Sequence, residues 1–122
     1  MDIRVTTDID RIVEFKQHPH LEEILEKFKQ GLQTVHQDNL VHLILFGSQA
    51  RKNAKKESDI DVLVVLKEKL NDKASHRKII DLISDLCLEY GVVLSCIYVS
   101  ESQFKQEKSP LLLNIHRQGI VL

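Results

Sequence analysis

The stretch "LFGSQARKNAKKESDIDVLVVL", residues 45–66, decides the fold of this chain, because an apolar run stops at Gly47 and resumes after two aspartates. Asp59 and Asp61 stand where a buried strand is expected to begin, and taking carboxylates out of water is costly. Their position therefore indicates a functional site rather than a contribution to stability alone.

Apolar runs around this stretch predict a sheet that is covered on both faces. Residues 40–46, 59–66 and 92–99 are short, apolar and rich in β-branched side chains, which is typical of buried strands. The second run is apolar on both faces past its start. Such two-sided burial is typical of a sheet that lies between helices.

Helical periodicity and end signals predict the elements around these strands. Apolar side chains recur at steps of three and four over residues 21–35 and again over 73–91, where Gly91 is placed to end the helix. The sequence "SESQF" then begins with a capping pattern, and residues 109–119 predict a short helix before an edge strand in "IVL". A further short helix over residues 8–18 is expected from weaker periodicity.

Together these elements predict one small α/β (α+β) domain, a mixed β-sheet flanked by helices. The chain has 122 residues, which suits a single core. We therefore interpret residues 1–122 as one domain, with a weakly defined segment at 1–18 and the core at 19–122.

Composition and charge exclude several classes of protein. Lys and Arg number 17 and Asp and Glu 18, so the net charge of -1 does not draw the chain to nucleic acid or an acidic surface. The N-terminus has no apolar signal segment, and the apolar runs are far too short for a membrane span. Cys87 and Cys96 lack metal-ligand spacing, which indicates reduced core thiols in a cytoplasmic protein, with a disulfide between them as the alternative.

The two aspartates are spaced to share one face of a strand. Strand residues two apart point the same way, so Asp59 and Asp61 project together at about 7 Å along the backbone. Paired carboxylates at this spacing suit a hard cation such as Mg²⁺, which proteins commonly hold with one or two carboxylates plus substrate phosphates. Ile60 and Val62 point to the opposite face, where they pack.

Gly47 and Ser48 have the properties of a phosphate-binding turn. A glycine leaves room for close approach, and free backbone N–H groups at a helix start bind phosphate well. Ser48 can cap the helix or donate its hydroxyl, and Arg51 adds positive charge. The run "RKNAKK", residues 51–56, has a second interpretation as a solvated loop, and an aromatic content of 5% argues against a base-stacking nucleic-acid surface.

The segment "GSQARKNAKKESDID" resembles the signature of the minimal nucleotidyltransferases of the DNA polymerase beta-like superfamily: glycine-serine, ten residues, then Asp-x-Asp. The resemblance extends over residues 21–122. It implies a mixed sheet flanked by helices, Mg²⁺, and nucleotide transfer, often of AMP from ATP. Many minimal members are antitoxins paired with a helical HEPN toxin, and some modify a hydroxyl of that partner.

One position departs from this family pattern. The superfamily usually has a third acidic residue on the following strand, and the matching position in "VVLSCIYV" is Ser95. Serine cannot replace a carboxylate as a base or strong metal ligand, which puts activation of the acceptor hydroxyl in doubt. Glu101, just past this strand, is the alternative source of a carboxylate. A purely structural interpretation is that Ser95 is a small polar residue at a partly buried position and has no role in function.

Two functions follow from these expectations. The first is an Mg²⁺-dependent enzyme in which Asp59 and Asp61 are catalytic and hold metal, while Gly47, Ser48 and Arg51 bind the nucleotide. It would transfer AMP from ATP to a hydroxyl of a HEPN-type partner or of another subunit. The second is a catalytically weak module of the same fold that neutralises a partner by contact. Retention of Asp-x-Asp favours the first function, and Ser95 favours the second.

Overall fold

The computed structural model describes residues 19–47, 59–69 and 72–122. The described chain contains, in order, α1 (Leu21–His36), a 3₁₀ turn (Gln37–Asn39), β1 (Leu40–Phe46), β2 (Ile60–Leu66), α2 (Lys73–Tyr90), β3 (Leu94–Ser100), α3 (Glu101–Gln106), α4 (Pro110–Gln118) and β4 (Ile120–Val121). This arrangement confirms the α/β (α+β) class. The short helix expected over residues 8–18 lies outside the described residues.

The four strands form one mixed sheet in the order β3-β2-β1-β4. β2 is antiparallel to β1 and parallel to β3, and the short β4 pairs antiparallel with β1. A parallel pair needs a long crossover connection, which α2 supplies between β2 and β3. The edge strand expected in the last three residues is confirmed as β4.

The alternation of β2 divides the core into two layers. Ile60, Val62, Val64 and Leu66 pack with the apolar faces of α1 and α2. Leu63 and Val65 point the other way, against side chains of α3 and α4 such as Phe104 and Ile115. Both faces of β2 are therefore covered along most of its length, which explains its continuous apolar sequence.

Most helix ends follow the expected signals. Gly91 ends α2 with a φ of 64°, a left-handed conformation that glycine adopts without a steric penalty. Ser100 forms a capping box with Gln103 at the start of α3. Ser109 caps α4, whose first residue is Pro110.

Two strands are shorter at their start than expected. β3 begins at Leu94 rather than at residue 92, because the backbone N–H of Val92 donates to the Cys87 carbonyl at 3.2 Å and so belongs to the end of α2. β2 begins at Ile60, one residue after Asp59. Both differences leave the pairing of the strands unchanged.

Cys87 and Cys96 are free thiols, as expected from the sequence. None of the helices in the described part of the chain is long and apolar enough to cross a membrane.

Candidate active site

The ends of β1 and β2 bring Gly47 directly against Asp61. Phe46, the last residue of β1, pairs with Asp61 in the antiparallel register. Gly47 follows with a φ of +76°, and a Cβ built on it would overlap the Asp61 Oδ2 atom and lie 3.2 Å from Cγ. A side chain at position 47 would therefore displace this carboxylate, and the left-handed backbone adds a second reason for glycine.

Asp59 and Asp61 lie at the start of β2. Asp61 has the same strand parity as Leu63 and Val65, so it points toward the layer that contains α3 and α4. Asp61 is half-buried, whereas Asp59 is exposed just before the strand. The carboxylate next to Gly47 is therefore held by the sheet, and its neighbour faces solvent.

Ser95 lies beside Asp61 on the neighbouring strand. The parallel register of β2 and β3 pairs Asp61 with Ser95 and Ile60 with Leu94. Paired residues of adjacent strands point to the same face of a sheet, so Ser95 shares the face of Asp61. Ser95 is exposed and Ile97, two residues on, is 38% exposed, so this part of the face is open to solvent.

Glu101 lies at the other end of β3. Ser100 pairs with Leu66, the last residue of β2, and Glu101 begins α3 immediately afterwards. Glu101 follows Ser95 by six positions along the chain, a distance of about 20 Å along an extended backbone. Glu101 instead forms an ion pair of 3.5 Å with Lys105. The register places Glu101 at the far end of β3 from Asp61 and so disfavours it as the third carboxylate, which stays a prediction from the sequence.

Cys96 is adjacent to Ser95 in sequence but points to the opposite face, where it packs against the α1 and α2 layer. Burial raises the pKa of its thiol to about 12. A protonated thiol is neither a nucleophile nor a base, so Cys96 does not compensate for the serine beside it.

Two of the expected nucleotide-binding residues, Ser48 and Arg51, lie outside the described residues. Their assignment to the phosphates stays a prediction from the sequence.

The donor set at this edge suits a hard divalent cation. Asp59 and Asp61 supply carboxylate oxygens, which Mg²⁺ and similar ions prefer. In the described ranges, no group of three or more His, Cys, Asp or Glu side chains is arranged to hold a metal. Two carboxylates match a cation that takes its remaining oxygens from substrate phosphates and water.

Sequence reasoning did not single out Phe46, whose backbone pairs with Asp61 and aligns the two strand ends. Its place before Gly47 in an apolar run was the available signal, but only the register shows which residue lies opposite.

Comparison with known proteins agrees with this geometry. The family model described as a nucleotidyltransferase domain matches residues 21–111. The chain is 41% identical over 75 residues to MJ0141 of Methanocaldococcus jannaschii, named as a candidate protein adenylyltransferase, covering 62% of this chain and 75% of the relative. It is 35% identical over 86 residues to MJ0604 of the same organism, which is also named as a candidate protein adenylyltransferase. The match covers 70% of this chain and 80% of the relative.

Solved structures share the fold at lower identity. A crystal structure described as a toxin–antitoxin with AMP-PNP superimposes with a TM-score of 0.56 at 20% identity, covering 79% of this chain and 69% of that chain. A complex of tri-AMPylated Shewanella oneidensis HEPN toxin with MNT antitoxin gives a TM-score of 0.52 at 19% identity. The match covers 82% of this chain and 69% of that chain.

The mixed sheet with Gly47 and Asp61 at one edge has the architecture of a nucleotidyltransferase. This chain belongs to the nucleotidyltransferase domain family. Enzymes of this class generally use divalent metal ions, which agrees with the carboxylates at the start of β2.

Proposed function

We propose that this protein transfers AMP from ATP to a hydroxyl group on a partner protein. The hydroxyl oxygen bonds to the α-phosphorus as the hydroxyl loses its proton, and the bond between the α- and β-phosphates breaks to release pyrophosphate. The observation that carries the proposal is the contact between Gly47 and Asp61, which joins a side-chain-free turn to a carboxylate at one sheet edge. The relatives named as candidate protein adenylyltransferases support AMP and a protein acceptor.

In this proposal each residue has a stated role. Asp59 and Asp61 would hold Mg²⁺, which would neutralise phosphate charge and polarise the α-phosphoryl group when bound. Gly47 lets the phosphates approach the backbone, and Ser48 and Arg51 bind the phosphates by hydrogen bonds and charge. The exposed face around Ser95 and Ile97 leaves space for the acceptor hydroxyl.

The partner that we propose is a HEPN-type toxin, with this chain as its antitoxin in the cytoplasm. One solved structure with a chain of this fold is a complex of a tri-AMPylated HEPN toxin with an MNT antitoxin.

A second function is favoured by one specific observation, the pairing of Ser95 with Asp61. A general base typically contributes about 10²–10⁴-fold in rate, and serine does not supply one here. Under this alternative the chain binds nucleotide and neutralises its partner by contact, with slow transfer or none.

Incubation with α-labelled ATP and a HEPN-type partner protein distinguishes the two functions, because the label reaches the partner only if AMP is transferred. The proposal predicts labelled partner with wild-type protein and Mg²⁺, and none with Asp61→Asn. Asp85→Asn, an exposed change of the same kind on α2, serves as the matched control and keeps activity. An unlabelled partner that is nonetheless inhibited in the complex would favour the contact function.

A further inference from the structure

A cavity lies at the other end of β2 from Asp61. This α2 cavity, defined by its lining residues Leu66, Lys73, Arg77, Ile80 and Tyr98, has a volume of about 850 Å³. Leu66 is the last residue of β2, about 16 Å along the strand from Asp61. Its volume lies in the range of small-molecule sites, and its position separates it from the candidate active site.

The wall of the α2 cavity is apolar and aromatic. Leu66 and Val99 come from the strand ends, and Ile80, although it is a large apolar residue, is 49% exposed on α2. The Tyr98 hydroxyl is 3.1 Å from Nε2 of His36, which fixes the orientation of the phenol ring. The hydroxyl is therefore already paired with His36, and this wall of the cavity presents mainly apolar surface.

The rim of the α2 cavity is cationic. Lys69, Lys73 and Arg77 carry permanent positive charge, and His76 lies between the last two. Two carboxylates also line the cavity, but that of Asp72 accepts hydrogen bonds from the Ala74 backbone N–H at 3.0 Å and the Ser75 hydroxyl at 2.8 Å. Asp72 is the N-cap of α2, and Asp81 is the second carboxylate, so the three cations Lys69, Lys73 and Arg77 leave one positive charge in excess.

The order of charges along α2 is the reverse of what favours a helix. Lys73, Arg77 and Lys78 lie in its first two turns, while Asp81, Asp85 and Glu89 follow toward its C-terminal end. The helix dipole favours acidic residues at the start and basic residues at the end. Residues that oppose a local stability preference commonly serve function, and here two of the basic ones line the cavity.

We propose that the α2 cavity binds a small organic phosphate. Its anionic head lies between Lys73 and Arg77, and its aromatic or apolar body lies on Ile80 and Tyr98. Several N–H donors on one helix face suit the oxygens of a phosphate, and Arg77 can donate two of them in parallel. This proposal is independent of the proposed transfer reaction, because it involves neither Asp59 nor Asp61.

Amide chemical-shift mapping of the full chain in EDTA tests this site without metal-dependent nucleotide binding. The probes are phenyl phosphate and AMP, with inorganic phosphate for comparison. Saturable shifts at Leu66, Ile80 and Tyr98 with the two organic phosphates, and weaker binding of inorganic phosphate, are expected. Equal binding of both organic probes indicates a general phosphate ester site, and tighter binding of AMP indicates a nucleotide site.

Charge variants sharpen the test. Lys73→Gln with Arg77→Gln should weaken binding by about tenfold or more, the loss expected for charge-assisted hydrogen bonds at a partly exposed site. Lys78→Gln with Lys108→Gln removes the same charge outside the cavity and should change binding by less than about twofold, the ordinary scale of an exposed charge. Ile80→Glu alters a side chain that is already 49% exposed and should abolish binding without unfolding the protein.

Three results would overturn the proposal. The first is that no amide signal shifts at millimolar probe concentration. The second is that the shifts are confined to the neighbourhood of Gly47 and Asp61. The third is that both charge-matched double variants weaken probe binding equally. Inorganic phosphate that binds as tightly as phenyl phosphate would also contradict the assigned role of Ile80 and Tyr98.

Discussion

At its first residues β2 places Asp61 beside Gly47 and Ser95, whereas at its last residue, Leu66, it borders the cationic α2 cavity. Between the two ends the strand is buried on both faces. The chemistry is therefore confined to the strand ends, where the packing layers stop and polar groups reach solvent. The acidic end suits a cation with phosphates, and the basic end suits an anion alone.

The largest expected effect concerns the missing carboxylate at the acidic end. Ser95→Asp should raise the rate of AMP transfer by about 10²-fold, because it restores a general base beside Asp61. Single-turnover transfer of labelled AMP to the partner measures the rate. Ser102→Asp, which adds the same charge on α3, should leave it unchanged.

The same assay with Glu101→Gln tests whether Glu101 lies too far from Asp61 to take part in AMP transfer. Because Glu101 lies beside the far end of β3, the variant should transfer AMP as fast as the wild type. A large loss would mean that Glu101 acts at the site, and the separation of the two ends would be wrong.

Gly47 and Gly91 have similar backbone conformations, so the same substitution at both positions separates the effect of backbone strain from damage to the candidate site. Gly47→Ala and Gly91→Ala both force a left-handed conformation, which costs about 1–2 kcal/mol of unfolding free energy in either variant. A Cβ meets Asp61 at position 47 and nothing within 4 Å at position 91. Urea unfolding and ATP titration should therefore show stability loss in both but loss of Mg²⁺-dependent binding only in Gly47→Ala. Equal binding in the two variants would contradict the importance of the Gly47–Asp61 contact.

At the basic end, Asp72→Ala should lower the free energy of unfolding, the usual effect of removing an N-cap. Asp85→Ala, an exposed change within the same helix, should cost less. Denaturant midpoints compare the two. Similar midpoints would show that Asp72 does not cap α2 in solution and is free to oppose an anion.

The smallest effect is a pH dependence beneath the α2 cavity. Burial lowers the pKa of His36, so the folded state favours its neutral form. The unfolded chain then binds more protons, and this contribution to stability is lost as pH falls below about 6.5. His36→Gln should flatten the decline in unfolding free energy between pH 7 and 5.5.

Burial also lowers the pKa of His42, so His36→Gln with His42→Gln should flatten that decline further. An unchanged slope in the double variant would show that neither histidine is held neutral by the fold.

The acidic end was predictable from sequence, and the basic end was not. Strong local signals predicted β1, β2 and the Gly91 and Ser100 helix ends, and the alignment of Ser95 with Asp61 agrees with the register. The position of Glu101 required knowing where β3 ends. Lys73 and Tyr98 come together only through the crossover by α2, and the reversed charge order of that helix was the sole sequence signal.

The central claim is that the edge formed by Gly47, Asp59 and Asp61 binds nucleotide through a divalent ion. The most direct measurement is the melting temperature of the full chain with ATP, with and without Mg²⁺. A ligand that binds only the native state raises the melting temperature, so Mg²⁺ and ATP together should stabilise the wild type. Asp59→Asn with Asp61→Asn should abolish the Mg²⁺-dependent part, while the exposed pair Asp38→Asn with Asp85→Asn keeps it. Equal Mg²⁺-dependent stabilisation of both double variants would contradict the account.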